Sequence, residues 1–327
     1  MSITAVVPVW NGREPLERLL DSLEAQTAPI DELLVVDNGS TDGAPELAAR
    51  RGARVIPMGR NAGFAAAVNR GIESARSPWI AVLNSDVRLA PDYLAQLMET
   101  GGWFGTGKIL SASKPTRLDG TFDLISRAGT AWRAGSGRRD TPGFSRAQPI
   151  WSAPWTAAVF RAALFERVGL LEERFESYLE DVDFGLRCAE LSLAGEYIPA
   201  AIAWHEGSAA LGRWHPETVR RIARNQVYLI ARHYPGRLLW KWAWPMLVGQ
   251  ALWGGVALRH GAALAWLKGK WQGAAAFAEV RRGASDLRRG GVEAFLTSQE
   301  RTLREAQSGG ADSYWRMYFL LTRGGAK

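Results

Sequence analysis

The sequence predicts an α/β fold with a mostly parallel central sheet and helices on both faces, followed by a C-terminal helical region. Short apolar, β-branched runs alternate with segments of helical periodicity through the first 83 residues. This alternation is typical of consecutive βαβ units, which build parallel sheets. Beyond residue 210 helical patterns continue without strands, and Lys and Arg outnumber Asp and Glu by 19 to 7.

Strand and helix patterns follow one another through the N-terminal third of the chain. The predicted strands are 2–9, 33–36, 54–58 and 79–83, and the predicted helices between them are 16–23, 44–51 and 63–75. In open sheets of this kind, ligands bind beyond the carboxyl ends of the strands. The polar residues that follow each strand are therefore candidates for chemistry.

Periodicity fades between residues 103 and 149, where Gly, Ser, Arg and Thr predict long loops around a few short strands. Order returns in the segments that follow, which are a helix at 181–192, short strands at 196–198 and 201–204, and a long helix that begins at Pro216. Proline is favoured at the first position of a helix.

These patterns predict two domains. A catalytic domain spans 1–210, with a nucleotide-binding half at 1–100 and an acceptor-side half at 101–210. A basic, Trp-rich helical region spans 211–327.

Composition narrows the class of protein. Of the 327 residues, 47% are hydrophobic and 22% are charged, which is typical of globular rather than disordered chains. A single cysteine, Cys188, excludes an internal disulfide scaffold and favours a reducing compartment. The N-terminus lacks the basic and long apolar regions of a signal peptide, so we expect a cytoplasmic protein.

The net positive charge of the chain comes from its last third. Residues 1–210 contain 21 Lys and Arg against 26 Asp and Glu, and 9 of the 15 tryptophans lie between Trp204 and Trp315. Residues 242–258 contain no charge, but this run is shorter than the roughly 20 residues of a spanning helix. We expect helices in 236–290 to lie on an anionic membrane surface. Packing against the catalytic domain or a second subunit, and true insertion, stay open.

Acidic and amide residues follow several of the predicted strands. Asp37 begins a polar turn that can bind a nucleobase or ribose, or can be a plain turn. Asp86 lies where a divalent cation on a diphosphate would need an oxygen ligand. The acidic run 178–183 reads either as a general base or as the capped start of a helix. His205 ends an apolar strand, where a structural hydrogen-bonding role is the alternative.

Five motifs occur in order, at 6–11 (VVPVWN), 35–43 (VVDNGSTDG), 61–71 (NAGFAAAVNRG), 84–87 (NSDV) and 178–183 (YLEDVD). Together they resemble the inverting nucleotide-sugar glycosyltransferases of family 2, which have the GT-A fold, and most closely the rhamnosyltransferase-like branch. The resemblance covers residues 3–234. Asn84 stands where the family's D-x-D element has its first carboxylate, so a metal there would meet fewer protein charges.

The resemblance implies a role for each matching residue. Asp181 would be the catalytic base, with Asp183 as the alternative, and Asp86 and His205 would bind a divalent cation, Mg²⁺ or Mn²⁺. The acceptor side would include Trp151, Trp155 and Glu180, although Trp151 and Trp155 can equally be packing residues. The nucleotide-binding residues would be Pro8, Asn11, Asp37, Asn38, Ser40, Asn61, Gly63, Phe64, Asn69 and Ser85.

The implied function is transfer of a sugar, with L-rhamnose from dTDP-rhamnose as the first candidate, to a glycan or polyprenyl-linked saccharide in cell-envelope polysaccharide synthesis. The enzyme would be peripheral on the inner face of the cell membrane, would not bind nucleic acid, and could form a homo-oligomer. Three alternatives stay open: a UDP-sugar transferase moving galactofuranose or another hexose, a membrane-binding module with a vestigial site, and a nucleotidyltransferase. A nucleotidyltransferase is expected to have a glycine-rich phosphate loop near its N-terminus, and this sequence has no such loop there.

Overall fold

The computed structural model describes residues 2–207, 212, 214–284, 291–307, 310 and 312–322. The chain divides into two compact units. The first unit comprises residues 1–122 and 135–210, and the second comprises 123–134 and 211–327. The second unit thus includes a short segment that the sequence assigned to the acceptor-side half, and the boundary at residue 210 stays a prediction.

The described strands are β1 (Ile3–Val9), β2 (Glu32–Asp37), β3 (Arg54–Pro57), β4 (Trp79–Leu83), β5 (Val87–Leu89), β6 (Phe104–Ser111), β7 (Leu118–Gly120), β8 (Asp123–Ile125), β9 (Ala131–Arg133), β10 (Gln148–Ile150), β11 (Ala157–Arg161) and β12 (Gly195–His205). The described helices are α1 (Arg13–Glu24), α2 (Ala44–Arg50), α3 (Phe64–Ser74), α4 (Tyr93–Met98), α5 (Ala162–Val168), α6 (Glu180–Glu190), α7 (Pro216–His233), α8 (Gly236–Lys241), α9 (Ala243–Arg259), α10 (Ala263–Gly283), α11 (Val292–Gln307) and α12 (Ser313–Leu321).

The first unit is built on a sheet with the strand order β10-β12-β6-β11-β4-β1-β2-β3, with β5 beside β12 and β7 beside β6. The four strands β1 to β4 pair in parallel, as predicted. The prediction of a mostly parallel sheet is wrong beyond β4, because β11 runs antiparallel to β4 and β6, and β5 and β10 run antiparallel to β12. β6 and β7 also pair antiparallel, because the segment between them is too short for a parallel crossover, which needs a dozen or more residues.

Residues 195–205 form one strand where the sequence predicted two. β12 pairs in parallel with β6, and its register shifts between Ile198 and Ile202. Pro199 lies in this irregular stretch, and proline cannot donate a ladder hydrogen bond. The proline therefore interrupts the pairing without ending the strand, and β12 continues to His205.

Helices cover both faces of the sheet, as predicted. On one face the inward leucines of α1, including Leu16, join α2, α4 and Val7 of β1 in a single buried core. On the other face α3 approaches the sheet at Gly71, where a Cβ would lie 2.2 Å from Val6 and 3.2 Å from Val36. Alternate residues of β1 therefore serve opposite faces, as the period of a strand requires.

The second unit joins the hairpin of β8 and β9 to helices α7–α12. α10 packs closely on α7, because Gly269 and Gly273 allow their backbones to approach: a Cβ at Gly269 would lie 2.2 Å from the Arg220 carbonyl oxygen. The hairpin is held by a buried ion pair, in which Arg127 donates to Glu300 at 2.7 Å. Among the described residues, no helix is both long enough and apolar enough to cross a bilayer.

Gly71→Ala should destabilise the first unit, because the added methyl group has no room against Val6. Overpacking of this kind lowers the free energy of unfolding by about 1–3 kcal/mol. Gly255→Ala in α9 is the control, since a Cβ there meets nothing within 4 Å and alanine favours a helix by up to about 1 kcal/mol. Thermal and urea unfolding measure both variants, and a Gly71→Ala protein as stable as the control would contradict this packing.

Candidate active site

The loops after β1 and β2 are hydrogen-bonded to each other. The backbone N–H of Asn11 donates to Ser40 Oγ at 3.0 Å, and Asn11 Oδ1 accepts from the Thr41 N–H at 2.8 Å. Asp37 is buried, and its Oδ1 accepts from the Ser40 N–H at 2.9 Å. Pro8 lies in β1 opposite Val36. Four of the predicted nucleotide-binding residues thus lie at or near the carboxyl ends of β1 and β2: Pro8, Asn11, Asp37 and Ser40.

Asn38 organises the loop before α3. Its Nδ2 donates to Asn61 Oδ1 at 3.2 Å and to the Gly63 carbonyl at 3.1 Å, while its Oδ1 accepts from the Ala62 N–H at 2.8 Å. Because Asn38 is buried and its amide is used in these contacts, its place in the site is to shape the loop of residues 61–63. Asn61 is exposed and Phe64 is half-buried, so both can meet a ligand directly.

Asn69 is predicted to bind the nucleotide sugar, but the structure buries its side chain. It is buried on the inner side of α3, where its Nδ2 donates to the Leu171 carbonyl and to Glu173, and its Oδ1 accepts from the Leu171 N–H. The amide is therefore engaged with residues 171–173. Asn69 belongs to the support of the site, and the prediction that it contacts the nucleotide sugar is wrong.

The segment before α6 lies against the start of α3. The Ala65 N–H donates to the Glu176 carbonyl at 2.9 Å, and the Phe64 N–H donates to Ser177 Oγ at 3.3 Å. Glu176, Tyr178 and Leu179 all have positive φ, between 59° and 73°. Strained backbone of this kind costs about 1–3 kcal/mol per residue and concentrates at functional sites. The contacts with α3 hold the strained segment that precedes the acidic residues.

The acidic residues of α6 have different environments. Glu180 is buried in the first turn, and Asp181 is half-buried, with its Oδ1 accepting from the Val182 N–H at 2.9 Å. Asp183 is 0% exposed and accepts from Arg187 Nε at 3.0 Å. A base must be reached by the substrate whose proton it takes. The geometry therefore favours Asp181 over Asp183.

The two tryptophans predicted on the acceptor side are in different environments. Trp155 is buried, and its ring packs against Phe160, Phe165 and Phe184 with centroid separations of 4.5–6.2 Å. An acceptor cannot reach it, so the prediction for Trp155 is wrong and its alternative, a packing role, is correct. Trp151 is half-buried, and its carbonyl lies close to Gly185 of α6, near Asp181.

The predicted metal ligands come together at the ends of β5 and β12, which pair antiparallel. His205 Nε2 lies 3.1 Å from Asp86 Oδ1, and His205 Nδ1 lies 3.0 Å from Asp119 Oδ2. Burial alone would lower the pKa of His205, but the hydrogen bonds to Asp119 and Asp86 outweigh it and raise this pKa to about 9. Ser85, beside Asp86, lies near Gly12 of the loop after β1.

The donor set fits a divalent cation bound by few protein groups. Asp86 Oδ1 and His205 Nε2 are about as far apart as two adjacent ligands on an octahedral ion with bonds of about 2.1 Å. Asn84 Oδ1 is buried without a hydrogen-bond partner two residues before Asp86. Among the residues that the structure describes, no group of three or more His, Cys, Asp or Glu is arranged around one point. The remaining ligands would be those that Mg²⁺ takes from phosphates and water.

Sequence reasoning missed two parts of this site. Asp119 lies in the segment predicted as loops, and no spacing links it to His205. The Arg18 guanidinium forms two hydrogen bonds, of 2.8 and 2.9 Å, with Glu206, and the Glu206 N–H donates to the Asp86 carbonyl at 3.1 Å. This clamp holds the residue next to His205, and only the fold reveals it.

Comparison with known proteins identifies the family. The model of the family "Glycosyl transferase family 2" matches residues 4–169. An N-acetylglucosaminyl-diphospho-decaprenol L-rhamnosyltransferase from Mycobacterium tuberculosis (strain CDC 1551 / Oshkosh) is 29% identical over 257 residues, which cover 64% of this chain and 79% of that protein.

Two solved structures have a similar fold. GalNAc-T7 with UDP, GalNAc and Mn²⁺ superposes with a TM-score of 0.60 and 12% identity, covering 77% of this chain and 51% of GalNAc-T7. S. aureus TarS 1–349 in complex with UDP-GlcNAc gives a TM-score of 0.51 and 16% identity, covering 96% of this chain and 93% of that one. The chain thus spans about half the length of GalNAc-T7. At these identities the similarity shows the GT-A-like fold alone.

Asp183→Ala should destabilise the protein, because it leaves the buried Arg187 guanidinium without its carboxylate. Removing one partner of a buried ion pair costs about 3–5 kcal/mol. Asp181→Ala is the control on the same helix and should cost less than about 1 kcal/mol, since Asp181 is half-buried. Urea unfolding of both variants checks this, and equal losses of stability would contradict the different environments of the two carboxylates.

Proposed function

This chain belongs to glycosyl transferase family 2, and we propose that it transfers L-rhamnose from dTDP-rhamnose to a hydroxyl of a lipid-linked saccharide in cell-envelope polysaccharide synthesis. Transfer inverts the anomeric carbon. The similarity to the mycobacterial L-rhamnosyltransferase supports the sugar and the class of acceptor. The observation that carries the proposal is the 3.1 Å contact between Asp86 and His205, two residues far apart in sequence that the reaction needs together.

The nucleoside of the donor is assigned to the loops after β1 and β2. One oxygen of Asp37 accepts from Ser40, and we assign the other to an imide N–H of the base or a ribose hydroxyl. Asn11 and Asn38 keep these loops in place through the hydrogen bonds described above. The diphosphate would extend toward Asp86, beyond the end of β4.

The reaction is a single displacement. The acceptor oxygen forms a bond to the anomeric carbon while the bond from that carbon to the diphosphate breaks, and the diphosphate leaves with the electron pair. Asp181 takes the proton from the acceptor hydroxyl as general base. Asp86 and His205 would hold a divalent cation, Mg²⁺ or Mn²⁺, whose charge stabilises the leaving diphosphate. Asp181 stands at the first turn of α6, where the contacts with α3 fix the preceding backbone.

Turnover of nucleotide sugars tests the proposed activity. The purified protein is incubated with dTDP-rhamnose and, as competitors, UDP-galactofuranose and UDP-hexoses, and release of the nucleoside diphosphate is measured with a lipid-linked saccharide acceptor. dTDP-rhamnose should be used at least tenfold faster than the others. Faster use of a UDP-sugar would overturn the donor assignment, and no turnover of any donor would favour a vestigial site.

Asp181→Asn should lower kcat by 10² or more while leaving donor binding unchanged, because a positioned base contributes about 10²–10⁴ in rate. Asp92→Asn, on an exposed carboxylate at the start of α4, is the control and should keep full activity. An Asp181→Asn enzyme with wild-type kcat would show that another group takes the proton.

The second unit presents apolar side chains to solvent. In α9 the exposed positions Trp244, Leu247, Ala251, Gly255 and Leu258 follow helical spacing and form one stripe. No charged residue precedes Arg259 in this helix. A helix that is apolar on all sides is normally buried, so the exposed stripe of α9 favours a further contact.

The neighbouring helices extend this apolar surface. In α10, Leu264 is 83% exposed and Trp271 is 71% exposed, and Leu267 is exposed between them. Trp240 of α8 is 87% exposed. Large apolar side chains with tryptophans at this exposure are typical of helices that lie in a membrane interface.

Charge favours an anionic bilayer as the occupant of this surface. Exposed basic residues flank the apolar positions, among them Arg259 at the end of α9 and Lys268 in α10. Arg237 and Lys241 of α8 are also exposed and share Glu293 as an ion-pair partner. We therefore propose that α8–α10 bind the membrane surface, peripherally and on its cytoplasmic side, where a lipid-linked acceptor is met.

Leu264→Ser with Trp271→Ser should weaken binding to vesicles of phosphatidylcholine and phosphatidylglycerol (3:1) by at least tenfold, because both side chains lose their burial in the interface. Raising the salt from 0.1 to 0.5 M should release part of the wild-type protein, since attraction of Lys and Arg to the lipid is screened. Leu191→Ser, at an exposed leucine of the first unit, is the control. Wild-type binding by the double variant, in a sedimentation assay, would contradict the assignment of this surface.

A further inference from the structure

Asp119 is the extra residue of a β-bulge. β7 runs antiparallel to β6, with Ile109 opposite Gly120 and Leu110 opposite Leu118, so the register of the ladder skips Asp119. Bulges next to active sites commonly redirect a side chain. The other side of β7 is fixed as well, because the Leu118 N–H donates to the Arg138 carbonyl and the Gly137 N–H donates to the Leu118 carbonyl.

The bulge brings Asp119 to His205 across β6. β12 pairs with β6 on the opposite side from β7, and Ser111 lies opposite His205. Asp119 Oδ2 is 3.0 Å from His205 Nδ1, and the Asp119 side chain is about one quarter exposed. A carboxylate only accepts hydrogen bonds. Asp119 therefore accepts from Nδ1–H, while Nε2 faces Asp86 and is the nitrogen that a bound cation would take in place of its proton.

We propose that Asp119 is a positioning residue for the metal site: it fixes the ring orientation and tautomer of His205, so that Nε2 and Asp86 receive the divalent cation together. The inference rests on the proposed metal site. Groups that hold the second nitrogen of a ligating histidine in this way also raise its basicity, and their loss weakens metal binding by about 10–100-fold.

The arrangement also offsets the substitution at Asn84. The amide oxygen of Asn84 brings no charge to the site, whereas Asp119 adds a carboxylate behind the His205 ring, at Nδ1. Asp119 contacts the ring on the nitrogen away from Asp86, so it acts through His205 and is not itself a ligand. The site thus recovers a negative charge from a strand that lies outside the N-S-D sequence.

Binding of Mn²⁺ alone tests the proposal, measured from the electron paramagnetic resonance signal of the free ion. Asp119→Ala should weaken Mn²⁺ binding by about 100-fold and Asp119→Asn by about tenfold, because an amide oxygen can still accept from Nδ1 but carries no charge. Nitrogen modulation in the spin-echo spectrum of bound Mn²⁺ should be present in the wild type, absent in His205→Ala and reduced in Asp119→Ala. Asp140→Asn makes the same change of charge at a carboxylate that pairs with Lys108 and should bind Mn²⁺ like the wild type.

Wild-type affinity and nitrogen modulation in Asp119→Asn and Asp119→Ala would overturn the proposal. If Asp119→Ala does not fold, Asp119→Asn gives the decision, because it keeps the size of the side chain. Absence of Mn²⁺ binding in the wild type would also overturn it. In that case transfer of sugar in excess chelator would leave the proposed function standing, so the two failures are distinguishable.

Discussion

The structure of the candidate site depends on one buried imidazole that lies between two carboxylates. His205 ends β12, Asp86 precedes β5, and Asp119 lies in β7, so the contact joins three parts of the chain that are remote in sequence. Burying these groups is favourable only because they satisfy one another, since an unpaired buried charge costs several kcal/mol. The pairing of β5 with β12 and of β7 with β6 therefore holds together the three residues on which the proposed metal site depends.

The mixed direction of the sheet makes this contact possible. The parallel strands β1, β2 and β4 deliver Asn11, Asp37 and Asn84 to one edge, as strands of one direction do. β5 then turns back against β12, so the residue before β5 and the last residue of β12 become neighbours. In a purely parallel sheet the residues after β12 could lie near those after β4. The strand pairing that places His205 opposite Val87, next to Asp86, would be missing. The nucleotide loops and the metal site thus come from two different kinds of strand pairing.

Local patterns in the sequence were sufficient for the first half of the catalytic fold, and they named candidate residues, such as Asp86 and His205, that the fold brings together. Apolar runs and helical spacing locate β1–β4 and α1–α3, because each is decided by neighbouring residues. The roles of Asn69 and Trp155 could not be predicted, because whether a side chain faces a ligand or the core depends on packing between distant segments. The bulge at Asp119 is likewise visible only once β6 and β7 are paired.

The anomeric configuration of the product tests the central claim most directly. The claim is a single displacement in which Asp181 removes the acceptor proton and no sugar becomes bound to the enzyme. Nuclear magnetic resonance of the first product formed from dTDP-rhamnose reports this configuration. The account predicts a glycosidic bond of configuration opposite to that of the donor. A product that retains the donor configuration would require two displacements and a covalent intermediate, and would contradict the mechanism proposed for this site.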